Sequence, residues 1–348
     1  MACVLVIGGG LAGCAAALEL AGNGLEAVIV EKGDNIGGKV REYGCKSTER
    51  CNRCGLCLAA GLWEQVDKSG RIRILTGSTV SDIRGKKDDF TAYVKSGGKL
   101  ITLTGLKAVI AATGFDDFSG NSGGVVEMEA GCNVLSGLSL EKLLSRRDTE
   151  GVFHDGAPKS IAFIQCFGSR DVKEKAPYCS RVCCGYSTRA ARVLRKYYPE
   201  MRIVFFYMDL QQVENGSYYR VLTNENIEMV RCRPVKVRGG KEAAILYEKT
   251  GEGIVEETFD MVVLTGGIHP SKDNERLAEI LMLGTDGNGF LRSVKDGRTT
   301  GVFIAGCAGG PKGIEETYAQ AILAAREICG AGPAHGGTIH PARRGHGG

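Results

Sequence analysis

The sequence predicts an α/β fold in which one strand-helix-strand plan occurs twice, with the second copy inserted into the first. Three observations carry this expectation. Val4 to Ile7 is an apolar strand, followed at once by Gly8, Gly9, Gly10, Leu11, Ala12, Gly13 and a helix from Cys14 to Ala21. A second apolar strand, Ala27 to Val30, ends on Glu31. Finally, Lys107 to Gly114 (KAVIAATG) is echoed far along the chain by Asp260 to Gly267 (DMVVLTGG).

The first two observations place G-x-G-x-x-G in the setting that gives the motif its meaning. The first glycine turns the chain, the second lets backbone meet a pyrophosphate, and the third lets helix and strand pack. Gly8, Gly10 and Gly13 hold those places, and Glu31 stands where a carboxylate accepts from adenosine ribose hydroxyls. Between Arg71 and Leu103 short alternating runs (RIRIL, STVSDI, DFTAYV, KLITL) read as an antiparallel meander.

Composition bounds the function. The 348 residues, 43% apolar and 24% charged, describe a globular chain long enough for two domains. A net charge of +4, dispersed along the chain, excludes a nucleic-acid binder. No window of about 18 uninterrupted apolar residues exists, so direct membrane insertion is not expected. MACVLVIGGGLAGCAAALEL has no basic n-region and Glu19 interrupts it, so it reads as strand and helix and not as an export signal. Fourteen cysteines without such a signal suit thiols, cluster ligands or redox groups in the cytoplasm better than structural disulfides.

The second copy, placed at 118–280, runs through a strand Ile161–Gln165, a helix from about Gly185 to Tyr197, a strand Ile203–Leu210, a meander that includes IEMVRC, and DMVVLTGG. Its strand-to-helix junction lacks the glycine loop. Cysteines stand there instead, Cys166, Cys179, Cys183 and Cys184, as C-x12-C-x3-C-C. Four soft thiolates can surround a [4Fe-4S] cubane or a tetrahedral metal such as zinc. Adjacent Cys183 and Cys184 make no easy mutual disulfide. Arg170, Lys173, Lys175, Arg181 and Arg189 would offset the anionic sulfur shell. A second group, Cys45, Cys51, Cys54 and Cys57 (C-x5-C-x2-C-x2-C), suits a cluster, zinc, redox thiols or none. The tail Gly332 to Gly348, with three His and two Arg, reads as a low-complexity extension from residue 331.

Several stretches resemble the two-dinucleotide-binding-domain flavoproteins of the thioredoxin-reductase type. They are Glu31 and Lys32 followed by Ile36, Gly37, Gly38 and Lys39, then KAVIAATG, and then Gly301 to Gly306 (GVFIAG). The resemblance implies FAD on a three-layer ββα domain formed by residues 1–117 and 281–330. It implies contacts from Lys32, Gly37, Gly38, Lys39, Thr113, Gly114 and Gly306, from Val80 to the adenine, and from Gly313 and Ile314 to the flavin ring. Where that superfamily has an aspartate, this chain has Cys307. Nicotinamide binding at the second copy is not expected.

With Gly185, Tyr186 and Ser187 after the cysteines, and AGCAGGPKGIEET at 305–317, the chain is similar to the A-type component of heterodisulfide reductase. In size it is most similar to the A-type subunit of the heterodisulfide-reductase-like complex of bacterial sulfur oxidisers. That resemblance implies a [4Fe-4S] cluster on Cys166, Cys179, Cys183 and Cys184 beside FAD, B- and C-like partner subunits, and a homodimer. Arg189, just past Cys184, is a candidate to sit near the flavin. Two other readings stay open: an NAD(P)H-dependent disulfide reductase using Cys51 and Cys54, and a structural FAD protein with zinc.

Overall fold

The computed structural model describes residues 2–117, 126–127, 133–148, 151–153, 156–213, 216–294 and 300–330. The expected low-complexity tail therefore lies outside the described residues. The chain divides into two units, 1–41 with 55–115 and 270–348, and 42–54 with 116–269. Two segments fall elsewhere than the sequence predicts. The helix Asn274–Leu281 belongs to the first unit, because Leu277, Ala278 and Leu281 pack in one core with Val80 and Ile83. Residues 42–54 belong to the second unit, held there by polar contacts described below.

The first unit is built on β1 (Cys3–Ile7), α1 (Leu11–Gly22) and β2 (Glu26–Val30). It continues with α2 (Leu62–Lys68), β3 (Ile72–Leu75), β4 (Ser78–Lys86), β5 (Asp89–Ser96) and β6 (Lys99–Ala111). Five strands run parallel in the order β3, β2, β1, β6, Val302–Ile304. β4, β5 and the first half of β6 form the antiparallel meander. RIRIL is therefore not part of the meander as expected; β3 is the third parallel strand, paired with β2. Alternation on β1 shows why the strand reads as continuously apolar: Val4 and Val6 enter one core, Leu5 and Ile7 the other.

The second unit repeats the plan. Its parallel sheet has the order Glu228–Val230, Arg202–Phe206, Ser160–Phe167, Met261–Gly266, Val134–Ser136. Met261–Gly266 thus holds the place that the end of β6 holds in the first unit, as the echo of KAVIAATG in DMVVLTGG predicts. IEMVRC was expected in the meander, yet Glu228–Val230 pairs parallel with Arg202–Phe206. The meander comprises Lys236–Arg238, Ala243–Lys249 and Gly253–Phe259. Two helices matter for function, α3 (Gly137–Ser145) and α4 (Cys183–Tyr197). The second of these starts on the cysteine pair itself, two residues earlier than expected.

Candidate functional site

In the first unit the glycine loop is set by close approach. Gly8 has φ +105°, and a methyl there would meet Ala112 O at 2.4 Å; a methyl on Gly13 would come to 1.9 Å from Gly8 O. Around Gly10, in contrast, nothing lies within 4 Å of where a side chain would start. Tight packing behind the loop and open space before it is what a pyrophosphate cradle at a helix N-terminus requires.

Glu31 closes the loop from the side. Its carboxylate accepts from the Gly9 and Gly33 amides, both at 2.7 Å. The amide of Gly37 donates to Gly9 O at 2.7 Å, and a methyl on Gly38 would come within 3.1 Å of the Gly10 Cα. Thr113 Oγ1 is buried without a partner beside this loop, and Gly114 faces open space. A dinucleotide fits these residues: it would use an orphan hydroxyl and fill a gap that side chains leave. Lys39 lies with its ammonium 5.1 Å from the centre of the Phe115 ring.

Other expected contacts are engaged within the protein. The Val80 carbonyl accepts from Arg276 at 2.7 Å. Lys32 pairs with Asp273 at 3.1 Å on the surface, a contact of small energetic weight. Gly306 gives its amide to Gln320 at 2.9 Å. The Cys307 thiol turns to Lys312 O at 3.5 Å and to the Thr317 hydroxyl at 3.9 Å, and burial pushes its pKa up. Gly313 caps the helix Ile314–Cys329 and donates its amide to Glu316 at 3.2 Å. Glu315 and Glu316 in the first turn offset much of the positive helix end expected near Ile314.

The second unit gathers thiols where the first has glycines. Cys166 lies in a bulge of Ser160–Phe167, where the register shifts and its φ is +58°. Bulges of this kind re-aim one side chain out of the sheet. Among the described residues eight non-glycine residues take left-handed backbone, and half of them, Cys166, Arg170, Lys175 and Arg181, fall in this one stretch. Since each costs roughly 1–2 kcal/mol, the loop is held against its own preference.

All four thiols are free; Cys166, Cys183 and Cys184 are buried and Cys179 is partly exposed. A hydrogen bond from Cys183 pulls the Cys166 pKa down to about 7, with Arg170 helping, while Cys183 is pushed well up. Burial first of all raises Cys184 to about 11. Cys179 Sγ accepts from the Arg181 amide at 3.3 Å and from Gln211 Nε2 at 3.5 Å. Ser169 Oγ and Thr188 Oγ1 are buried without partners, Thr188 one helical turn beyond Cys184. Among the described residues no group of three or more His, Cys, Asp or Glu side chains is placed to hold a metal ion. Spare buried hydroxyls beside four thiols fit the chemistry of a sulfur-rich cluster, whose corners stand farther apart than the ligands of one ion. Thr188→Val should leave the metal-free chain unchanged or about 1 kcal/mol more stable in urea unfolding, since an orphan buried hydroxyl is itself destabilising.

Arg189 donates to the carbonyls of Asn52 at 2.8 Å and Arg53 at 3.0 Å, so it clamps the 42–54 loop to α4. Arg192 adds contacts to Asn52 and Glu225. Arg147 of the α3 end reaches Cys45 O and Ser47 O. Beneath them Lys46 and Glu141 form a buried ion pair at 2.6 Å. None of this was legible in sequence, because Lys46 and Glu141 are 95 residues apart and each sits among ordinary neighbours. Cys45, Cys51 and Cys57 are exposed and Cys54 is half-buried. Burial raises the Cys45 thiol, but hydrogen bonds with Ser47 and then the Arg147 charge together outweigh it and hold its pKa below the ordinary value.

Residues 6–68 match the family described as NAD(P)-binding Rossmann-like domain. The chain is 28% identical, over 92% of its length, to an A-type iron-sulfur subunit of CoB-CoM heterodisulfide reductase from Methanopyrus kandleri. It is 26% identical over 93% of its length to the A-type iron-sulfur subunit of the same reductase from Methanocaldococcus jannaschii. It spans 63% of each of those relatives, less than two thirds. Among solved structures, Bacillus cereus bacillithiol disulfide reductase superposes with a TM-score of 0.59 at 18% identity, covering 94% of this chain and 99% of that one. Thioredoxin reductase from T. acidophilum gives 0.59 at 16% identity, covering 94% and 97%. The fold is therefore that of the thioredoxin-reductase-like flavoproteins, and the chain is similar to oxidoreductase subunits of the heterodisulfide reductase A kind.

Proposed function

We propose that this chain is the FAD- and [4Fe-4S]-containing electron-transfer subunit of a heterodisulfide-reductase-like complex in sulfur metabolism, of the type found in bacterial sulfur oxidisers. The observation that carries the reading is the replacement of a phosphate loop by four free thiols at the strand-to-helix junction of the second unit. FAD would exchange one or two electrons, and a cluster on Cys166, Cys179, Cys183 and Cys184 would pass them singly.

The chain's own residues do the holding. Gly8, Gly10 and Gly13 would accept the pyrophosphate against the start of α1, with Gly37, Gly38 and Lys39 along it. Glu31 would receive the ribose hydroxyls on the lone pairs that Gly9 and Gly33 leave. Thr113 and Gly114, Gly306, the backbone of Cys307, and Gly313 with Ile314 complete the set, with Val80 and Lys32 toward the adenosine end. In the second unit, Arg170, Arg181 and Gln211 would stabilise thiolates by charge and by hydrogen bonds to sulfur. Arg189 acts as a positioning residue for the 42–54 loop. B- and C-like subunits as partners, a homodimer and a cytoplasmic location belong to the same proposal; among the described residues no helix is long and apolar enough to cross a membrane.

Anaerobic analysis of iron and acid-labile sulfide, with EPR of the reduced protein, tests this reading. Cys183→Ser should lose the iron, the sulfide and the broad absorbance near the flavin bands while keeping the flavin. Zinc without iron or sulfide would sink the cluster. Rapid bleaching of the flavin by NADH or NADPH alone would favour instead a disulfide reductase using Cys51 and Cys54, the first exposed and the second half-buried on the clamped loop.

A further inference from the structure

The electron-transfer reading leaves the buried pair of Lys46 and Glu141 without a task, yet its place in the second unit ties it to the thiols. Glu141 lies one turn after Gly137 on α3, so both look the same way. A methyl on Gly137 would meet the Tyr186 hydroxyl at 2.4 Å, which sets Tyr186 of α4 against that face. Tyr186 in turn lies one turn after Cys183. Burial first, and then Cys183 and Glu141, push its phenol well up, so one ring stands within electrostatic reach of both. A second link runs through Arg189, whose charge bears on Glu141. Its guanidinium lies 2.9 Å from where a side chain on Gly185, next to Cys184, would start.

An electron delivered to a buried sulfur site adds a negative charge where the dielectric is low and an uncompensated charge is costly. As an ion pair, Lys46 and Glu141 offer no net charge to answer it. Once the carboxylate carries a proton, Lys46 remains as a buried cation behind the thiols. Burial already pushes the Glu141 carboxyl above its ordinary value of 4.5, and Lys46 pulls part of that rise back. Around the pair stand Tyr43 from the 42–54 loop, Tyr186 and Arg189 from α4, and Lys142 on α3, which is paired with Glu42. The strands 134–136 and 261–266, which pack against α3, bring no titratable side chain. Cys45, next in sequence to Lys46, is exposed, so solvent protons are close at hand.

We propose that Glu141 takes up a proton from solvent on reduction of the sulfur site, with Lys46 holding the carboxylate beforehand and left as the compensating charge afterwards. The inference rests on the electron-transfer reading above. One electron enters from a one-electron reductant, and one O–H bond forms on the Glu141 carboxylate. The ammonium–carboxylate pair thereby becomes an ammonium facing a neutral acid, and reoxidation runs the same step backwards.

The test follows the midpoint potential of the iron-sulfur EPR signal in the full chain, apart from the flavin, whose own potential depends on pH. In the parent the midpoint should fall by about 59 mV for each tenfold drop in proton activity between about pH 6 and 8, the slope of one proton per electron. It should flatten at the acid end, where Glu141 is protonated before reduction. Lys46→Met with Glu141→Leu, an apolar exchange that keeps the fold, should give a flat line with iron and sulfide unchanged. Glu141→Gln should flatten it too, and should remove a carboxylic-acid band that appears in the parent's infrared spectrum on reduction. Where Glu141→Gln fails to fold, the double variant decides. A slope that survives in the double variant would overturn the proposal, because the proton then sits elsewhere, and so would a parent whose midpoint ignores pH. Iron and sulfide are measured on every sample. A flat parent that holds both ends the proton step alone, whereas a parent that holds neither ends the electron-transfer reading and this step with it.

Discussion

Gly13→Ala is expected to yield a chain that no longer retains the proposed dinucleotide and whose first unit is destabilised by about 3 kcal/mol, the upper range for an overpacked interior. The cause is local and rigid. The new methyl would lie 1.9 Å from Gly8 O, a backbone atom that cannot rotate away as a side chain would. Gly8 itself is held at φ +105° against Ala112 O, so the loop has no direction in which to retreat. Relief requires α1 to move off β1, and both elements lie in the core that contains Val4, Val6, Ala16 and Ala17. Gly10→Ala is the matching control. Nothing lies within 4 Å of its methyl, so the unfolding midpoint should stay within about 0.5 kcal/mol of the parent while the dinucleotide is lost. Urea unfolding followed by circular dichroism, with flavin absorbance of the purified chains, separates the two outcomes. A Gly13→Ala chain that keeps its flavin would show that the third glycine does not pack helix on strand here.

Lys46→Met is expected to destabilise the second unit by about 3–5 kcal/mol at neutral pH, the cost of leaving one member of a buried ion pair alone. Lys46 and Glu141 are 4% and 7% exposed and 2.6 Å apart. Burial pushes the Glu141 carboxyl above its ordinary value of 4.5, and Lys46 pulls part of that rise back. Without the lysine the rise is larger. The folded chain then binds the Glu141 proton more tightly than the unfolded chain does. Its stability is greatest below 4.5 and falls as pH climbs from there through the raised value. Lys46→Met should accordingly be less impaired at mildly acidic pH than at neutral pH. Adding Glu141→Leu should restore most of the loss, because a buried pair is exchanged for apolar packing at little net cost. A single variant equally destabilised across that pH range would place the defect in packing and not in the stranded carboxylate.

Local chemistry made the first unit largely readable. The glycine loop, Glu31 and the helix Ile314–Cys329 are set by neighbours in sequence, through φ angles, strand period and a capping residue. Strand partners were harder. RIRIL and IEMVRC alternate as meander strands do, yet each became the third parallel strand of its sheet, because both faces of a sheet edge are only partly buried and the period alone does not report direction. Least readable were the residues joined only by the fold. Arg189 looked like a companion of the flavin from its distance to Cys184, whereas its hydrogen bonds go to Asn52 and Arg53. Glu141 is buried against Lys46, 95 residues away, so no local pattern points to the pair.

The clamped loop at 42–54 also bears on how the protein is made. Its lysine leaves the ribosome 95 residues ahead of the glutamate that neutralises it, and further still ahead of Arg189. At ordinary elongation rates that interval is roughly 5–20 s. Throughout it Cys45, Cys51 and Cys54 ride on a nascent chain with none of the contacts that fix them later. Until Glu141 and Arg189 have both emerged, the contacts that fix the 42–54 loop cannot form, so its ordering waits on synthesis of the second unit.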